Sequence, residues 1–503
     1  MPKCNRLFLP LLMVSACTTV GPDFETPAAP PTSGYAMEGD MTYPDGIALE
    51  SGDALPVEWW KVLQSPEIDR LVELALDNSP TLDLAEATLA RARYAESAQR
   101  GESGPQANAS GNFGRERINT AAFGIKGFPS PTINLYSIGS AVSFDPDLFG
   151  KQKRQLENAA ARTEAEASRA DATYLTLTGQ VVTTAIQLAS LRSQLDELDN
   201  IIEGDRRTRD MIQRGVDAGG EPKSAINTAE AQLAEDEARR PPLLYEVDAA
   251  RHALALLVGK APADWTAPEI DLSDVVLPKD VPVRLPSELV RRRPDILAAE
   301  ADLHSATAAI GVAEANLYPD ISLDASFALT TLAPEDVFKY ESSGWSVGPS
   351  ATMPLFNGGS LKARRQMAVE DAKAADATYR QTVLKAFVQV ADLFSAIAKD
   401  QSLIVAQTRA SDIAEENVRL ASIGYENGAQ PLLTVIDAQR QAQRARLALV
   451  DAQAQLRKDV VALYLAGGYV EPRREAVVQP AAAPHRKPGL LRWPWAHGSS
   501  DPA

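Results

Sequence analysis

Cysteine, histidine and aromatic side chains are scarce in this sequence. Among 503 residues there are 2 cysteines and 4 histidines, and aromatic residues make up 6%. The histidines are scattered without the spacing of metal ligands, and no phosphate-binding loop, nucleophile elbow or paired-cysteine motif occurs. The sequence therefore predicts no catalytic residues, no metal site and no cofactor.

Long apolar runs and an excess of positive charge are also missing. No uninterrupted apolar stretch is long enough for a transmembrane helix, which needs about 20 residues. The formal charge of −17 argues against nucleic acid as a partner and by itself favours no other partner. Alanine, glutamine, arginine and glutamate dominate the middle of the chain, which favours one elongated architecture over several globular domains.

One cysteine lies where a lipid would be attached. A basic opening, an apolar core at 7–14 and the small residues of "VSA" precede Cys17, as in a bacterial lipoprotein signal. We expect residues 1–16 to be removed, and an N-acyl group and an S-diacylglycerol to be attached to Cys17. Thr18, in place of an aspartate that would favour inner-membrane retention, predicts export to the outer membrane. The alternative is an ordinary buried cysteine in a helix.

The sequence repeats itself once. The segment "SPTLDLAEATLARARYAESAQRGESGPQANASGNF" from Ser79 aligns without a gap with "RPDILAAEADLHSATAAIGVAEANLYPDISLDASF" from Arg293, at an offset of 214. Further on, "GVDAGGEPKSAINTA" from Gly215 aligns with "GYENGAQPLLTVIDA" from Gly424, at an offset of 209. The chain therefore has two tandem repeats.

Each repeat predicts a helix, two strands, a very long helix, a break and a second long helix. Between Gly359 and Gly424, 64 residues include neither glycine nor proline, and as a helix they would measure about 96 Å. The break has the pattern Gly-x-x-x-Gly-x-x-Pro, which ends a helix and lets the chain reverse. The predicted reversal residues are Gly215, Gly219 and Pro222 in the first repeat and Gly424, Gly428 and Pro431 in the second.

Four segments, at about 105–115, 133–144, 320–331 and 344–355, read as strands. In the third, Leu323 and Phe327 fall on one face and Asp324 and Ser326 on the other. Such strands suit a membrane barrel, although a half-buried strand of a soluble sheet has the same pattern. Four strands cannot close a barrel, and an open edge in lipid leaves backbone groups unsatisfied. If the chain spans a membrane, it must therefore oligomerise.

These features occur together in a known family. Motifs similar to those of the TolC-like outer-membrane efflux proteins are "CTTVGPDFETP" from Cys17, "EWWKVLQSPEIDRLVELALDNSPTLDLAEATLARAR" from Glu58, "FDPDLFGK" at 144–151 and "PLFNGGS" at 354–360. The motif after Cys17 and the paired tryptophans Trp59 and Trp60 resemble the lipoprotein branch typified by OprM and NodT. The resemblance runs from Cys17 to about Tyr469.

The resemblance implies a mainly α-helical chain with a membrane β-barrel. Three copies would form a homotrimer with a twelve-stranded outer-membrane barrel, four strands from each chain, continued by a long periplasmic α-helical barrel. It implies a periplasmic adaptor, an inner-membrane pump of the resistance-nodulation-division (RND) class and contact with outer-membrane lipid. The chain would passively conduct solutes such as drugs or metals outward. A duct for type I protein secretion and a trimeric periplasmic coiled-coil scaffold remain alternatives.

The family's periplasmic gate lies where the long helices reverse. By resemblance, the gate residues of this chain are Tyr425, Gln430 and Asp437, and three copies of Asp437 around one axis would form a ring of like charge. TolC links neighbouring helices by an arginine and an aspartate, and the matching positions here hold Gln430 and Ala225. We therefore expect a neutral hydrogen bond from Tyr425 or Gln430. On residue chemistry alone, Tyr425 is a packed helix-end aromatic and Asp437 a solvated helix position.

The chain ends in a segment of different composition. Residues 471–503 are rich in proline and alanine, which predicts a disordered tail. The expected division is a signal peptide at 1–16, a lipid-anchored extended segment at 17–57, repeats at 58–285 and 286–470, and the tail at 471–503.

Overall fold

The computed structural model describes residues 19–32, 34, 35, 37, 47–49, 58–119, 122, 124, 127, 129–278, 281–283 and 286–467. The described part of the chain is mainly helical. The expected lipidation site at Cys17, part of the segment 17–57 and the tail at 471–503 lie outside the described residues.

The elements follow one another in the same order in both repeats. The first part of the chain contains β1 (Ile47–Leu49), a 3-10 turn (Trp59–Leu63), α1 (Pro66–Asn78), α2 (Pro80–Glu102), β2 (Gln106–Arg117), β3 (Thr132–Phe144), α3 (Lys151–Asp217) and α4 (Lys223–Leu257). The second part contains β4 (Val281–Val283), α5 (Pro286–Val290), α6 (Pro294–Ala315), β5 (Asp320–Thr331), β6 (Ser343–Thr352), α7 (Ser360–Glu426) and α8 (Leu432–Gly467). Strands β1 and β4 pair in parallel.

The two longest helices are equal in length and position within their repeats. Helices α3 and α7 each have 67 residues, or about 100 Å, and both begin and end at an offset of 209. Helices α4 and α8 begin at the same offset. At the first corner the Asp147 carboxylate accepts hydrogen bonds from the amides of Gln152 and Lys153, at 3.0 and 2.8 Å. This satisfies two of the free amides at the start of α3.

The four long strands form one antiparallel sheet in the order β2-β3-β5-β6. The register places Phe113 opposite Tyr136 and Phe327 opposite Trp345, with the Phe113 and Tyr136 ring centroids 4.9 Å apart. Asp324 lies opposite Ser143 and accepts its hydroxyl hydrogen bond at 2.7 Å. Because side chains alternate along each strand, the sheet has one face rich in aromatic and aliphatic residues and one rich in serine and asparagine. The sequence predicts an apolar face and a polar face for β5. The strand register shows that these two faces continue across the whole sheet.

The main hydrophobic core lies around the middle of the long helices. Trp59 and Trp60 are each 1% exposed, and the indole of Trp59 donates a 3.2 Å hydrogen bond to the hydroxyl of Thr178 on α3. The Trp59 ring also stacks on Tyr464 of α8, at 6.3 Å between centroids. The paired tryptophans therefore tie the start of the first repeat to the end of the second.

Helix α7 is more apolar than the search for uninterrupted runs indicated. It is long and apolar enough to cross a membrane by length and composition, with an 18-residue window of mean hydropathy 1.2, of which 28% is buried. Single polar residues interrupt the stretch, which is why no long run shows in the sequence. One such helix is weak grounds for a membrane span. The exposed part of this window is available to another helix.

Candidate functional site

The two helix reversals have the same backbone hydrogen bonds. In the first, the amides of Gly220 and Glu221 both donate to the carbonyl of Gly215, at 2.9 and 3.2 Å. The second reversal repeats both bonds with every residue number raised by 209, at 2.8 and 3.1 Å. The two tips of the chain are therefore built alike.

Glycine is required in both turns. Gly219 has φ of +81° and Gly428 has φ of +73°, in the left-handed region that other residues enter at a cost. At Gly424, an added Cβ would lie 2.6 Å from Cγ of Gln430. Pro222 and Pro431 stand directly before α4 and α8. All six predicted reversal residues thus lie in or beside these two turns.

Tyr425 joins the two reversals. Its hydroxyl donates to Oε1 of Glu221 at 3.3 Å, and its half-buried ring packs beside Ile212 and Ile436. Burial raises the pKa of Tyr425, and the neighbouring Glu221 raises it further. The phenol therefore stays protonated and remains a hydrogen-bond donor at neutral pH.

The other predicted gate residues are placed differently. Gln430 and Asp437 are both exposed, and the described residues provide no hydrogen bond or ion pair to the Asp437 carboxylate. Ala225 is half-buried in the cluster that contains Tyr425. The acceptor for Tyr425 is a carboxylate, whereas the sequence analysis expected a neutral hydrogen bond. Glu221 was not singled out, although the offset of 209 makes it the counterpart of Gln430.

A second organised region surrounds the residues after Cys17, which we call the strap (residues 19–32). The amide of Val20 donates to the carbonyl of Phe149 at 3.2 Å, at the corner where β3 leads into α3. The Arg154 side chain, 3% exposed, donates to the carbonyls of Val20 and Gly21, each at 3.2 Å, and to Asp23 Oδ1 at 2.7 Å. One buried guanidinium therefore holds the start of the strap.

The strap also contacts the second repeat. Gly21 lies so close to Gly311 of α6 that a Cβ on Gly21 would overlap its backbone, and a Cβ on Gly311 would lie 2.7 Å from Cγ of Arg154. The Phe24 ring stacks on His304 at 4.4 Å between centroids. His304, one of the four scattered histidines, is thus part of the strap's binding surface. Cys17 itself is not described. Thr19, the nearest described residue, lies at the corner between the sheet and the helices.

The order of elements, the long paired helices and the four-stranded sheet agree with one family model. The model described as "Outer membrane efflux protein" matches residues 71–260 and 285–469. This chain belongs to that family. Outer membrane efflux proteins are transport proteins rather than enzymes, and they reside in the outer membrane and extend into the periplasm.

Individual members of the family are similar over almost their whole length. Nodulation protein T of Rhizobium leguminosarum bv. viciae is 29% identical over 487 residues, covering 94% of this chain and 96% of the relative. Outer membrane protein OprJ of Pseudomonas aeruginosa is 30% identical over 474 residues, covering 92% and 95%. The solved structure of the outer-membrane channel OprN is 30% identical, covers 90% of this chain and 99% of OprN, and superposes with a TM-score of 0.82.

Proposed function

We propose that this chain is the outer-membrane duct of a tripartite efflux pump and passively conducts solutes from the periplasm to the exterior. Membership of the outer membrane efflux family supports the efflux role. The chain would act with a periplasmic adaptor and an inner-membrane pump, of the RND class by resemblance. The pump would supply the energy, since the described residues include no phosphate-binding loop.

The observation that carries the proposal is the two-faced sheet with two open edges. Within the described residues, strands β2 and β6 each pair on one side only. In a bilayer every unpaired backbone group costs several kcal/mol, so these edges need partners. Edge pairing between three copies would close a twelve-stranded barrel with the aromatic face toward lipid and the serine-rich face toward a pore.

Helix α7 supports the same assembly in the periplasm. Its exposed apolar residues include Leu384, Val388, Val405 and Ile413, which are 51–72% exposed. Long helices in water need an apolar contact along their length. Neighbouring copies in a homotrimer would cover this face and form the wall of a helical tunnel.

The reversals would form the periplasmic gate. The hydrogen bond from Tyr425 to Glu221 supports a closed restraint that joins both tips of a chain. Because Asp437 is exposed and unpaired among the described residues, three copies around the axis would repel one another and attract cations.

Planar-bilayer recordings of the purified trimer test the duct. We expect discrete conductance steps, with weaker cation selectivity in Asp437→Ala because the ring of negative charge is removed. The matched control is Asp412→Ala, an exposed aspartate of α7 outside the reversals. A trimer that inserts but conducts in neither the native form nor Asp437→Ala would overturn the proposal.

A lipid on Cys17 is the second part of the proposal. The strap binds at the sheet-to-helix corner, which supports an anchor site close to the membrane. One acyl signal binds weakly, and several chains on a trimer bind better. Intact-mass measurement of the native protein and Cys17→Ser should differ by the lipid, whereas equal chain masses after allowing for the substitution would contradict acylation.

A further inference from the structure

A buried pair of carboxyl groups joins α3 to α4 between the reversal and the main core. Asp205 on α3 is 6% exposed and Asp236 on α4 is 0% exposed, and the two side chains are within hydrogen-bonding reach of each other. Oδ2 of Asp205 and Oδ1 of Asp236 have no hydrogen-bond partner among the described residues. Two carboxylates offer only acceptors, so one shared proton would supply the missing donor.

Helix α8 completes the surroundings of the pair. Gln232 of α4 donates to Oδ2 of Asp236 and accepts from Nε of Arg440 on α8, each at 2.5 Å. Gln439 of α8 donates to the hydroxyl of Thr208 on α3 at 3.0 Å. We call these residues the three-helix node: Asp205, Thr208, Gln232, Asp236, Gln439 and Arg440.

Two cations approach the pair, one from α8 and one from α4. Arg440 is the cation on α8, and Nη1 of Arg239 on α4 lies 3.4 Å from Oδ1 of Asp236 with its side chain 48% exposed. Other charges of this stretch pair with one another at the surface, as Arg206 does with Glu237. No third acidic or histidine side chain joins Asp205 and Asp236 in a metal-binding group among the described residues. The pair is therefore suited to a proton rather than a metal ion.

The second repeat shows that the fold does not require these acids. At the offset of 209, Asp205 corresponds to Ala414 and Asp236 to Ala445. Helix α7 begins and ends at this offset from α3, and α8 begins at it from α4, so two alanines are compatible with this architecture. Burying two carboxyl groups carries a desolvation cost that alanine avoids. The first repeat carries this desolvation cost at the point where it contacts the start of α8. The contacting residue, Arg440, lies three positions after the predicted gate residue Asp437.

We propose that the three-helix node is a proton-dependent latch of the periplasmic gate. With one proton on the acid pair, the node holds the start of α8 against α3 and α4. Without that proton, two buried negative charges repel each other, α4 moves from α3, and α8 loses its bonds to both helices. This inference rests on the proposed duct function. Asp205 lies about 18 Å from the reversal, counted as 12 residues of helix, so loosening here reaches the tip.

The titration range follows from the surroundings of the pair. Burial and the neighbouring Asp236 raise the pKa of Asp205 to about 7, against the opposing effect of Arg440. Between the ordinary carboxyl pKa and this value, the folded node holds more protons than the unfolded chain, so its stability falls as pH rises through this range. Above about pH 7 the latch is open.

Hydrogen exchange of the native trimer tests the latch directly. We expect amide exchange in residues 198–240, corrected for intrinsic rates, to rise roughly tenfold from pH 6 to pH 8, as the protonated fraction falls. Residues 407–420 of α7, the counterpart of 198–211 in α3, are the internal control. The double variant Asp205→Ala/Asp236→Ala copies the second repeat and should lose this pH dependence.

Two single variants complete the test. Asp205→Asn keeps a donor at every pH and should keep exchange low at pH 8. Asp400→Asn alters a second acid pair, which Asp400 forms with Asp459. Burial and the neighbouring Asp459 raise the pKa of Asp400 to about 6. It should leave exchange at 198–240 unchanged. An equal pH response in native protein and the double variant would overturn the latch.

Bilayer recordings separate the latch from the duct. Native channels should open more often at pH 8 than at pH 6, and the double variant should show no such difference. Conductance with the same pH response in both proteins would overturn the latch and leave the duct intact. Inserted trimers that conduct at neither pH, with or without the substitutions, would overturn the duct, and the exchange measurements would still decide the latch.

Discussion

Single side chains at either end of the long helices connect distant parts of the sequence. Tyr425 contacts a residue 204 positions away, and Arg154 contacts the strap across 131 to 134 positions. Contacts between residues this far apart in the sequence depend on the complete fold, because the two partners of each contact do not lie on the same helix. Both side chains can therefore be removed without changing local helix formation.

Removing the Tyr425 hydroxyl should loosen the closed gate. Tyr425→Phe keeps the ring in its apolar cluster and deletes the donor to Glu221, at a cost of about 1 kcal/mol. We expect more frequent openings in bilayer recordings. Tyr245→Phe, at a tyrosine of α4 that is 74% exposed, is the control and should behave as the native channel. Native opening frequency in Tyr425→Phe would show that this bond does not restrain the gate.

Removing the Arg154 side chain should release the strap. Arg154→Ala deletes three donors to residues 20–23 and leaves their carbonyls without partners. We expect thermolysin to cut within residues 19–32 several times faster than in the native protein. Arg169→Ala removes a half-exposed arginine that bonds Asp302 and should leave cleavage unchanged. Equal cleavage in the native protein and Arg154→Ala would mean that other contacts hold the strap.

At the scale of elements, much of this fold was predictable because each feature has a local cause. A stretch of 64 residues without glycine or proline predicts the body of α7, and alternation at Leu323 and Phe327 predicts β5. Helix α4 shows the limit of such reasoning, since it continues through Pro241 and Pro242. Prolines normally end a helix, and here packing against α3 maintains it.

The contacts of the candidate site were less predictable. The repeat pattern identified both reversals, but it gave no sign that Tyr425 reaches Glu221 or that Asp205 faces Asp236. Such pairings depend on how helices from different repeats pack. The strap was expected to be extended, and only the packed structure shows that Arg154 binds it.

The reversals should respond to alanine in a position-specific way. Gly219→Ala places a side chain at φ of +81° and should destabilise by about 1 kcal/mol, although open space surrounds the site. Gly204→Ala is the matched control inside α3, where alanine is the better helix former, and should stabilise by about 0.5–1 kcal/mol. Chemical denaturation followed by circular dichroism measures both. Effects of the same sign would refute the turn argument.

At the scale of the whole molecule, the two faces of the sheet make opposite predictions for adjacent residues. Trp345 lies on the aromatic face and Ser346 on the serine-rich face of β6. Trp345→Arg should impair membrane insertion by about 2–4 kcal/mol if that face meets lipid, whereas Ser346→Arg should insert and alter conductance. Sedimentation with outer membranes and bilayer recording measure the two effects. Equal insertion of both variants would contradict the assignment of faces.

The hydrogen bonds from Arg154 to the strap also have a mechanical consequence. Thr19 follows Cys17 by two positions, so a lipid on Cys17 would have only about 7 Å of slack before tension reached the first bound residue. That tension would pass to the N-terminal end of α3, next to the sheet. The reversal lies at the far end of the same helix, about 100 Å away. Membrane undulations would therefore pull on the corner and leave the gate mechanically isolated.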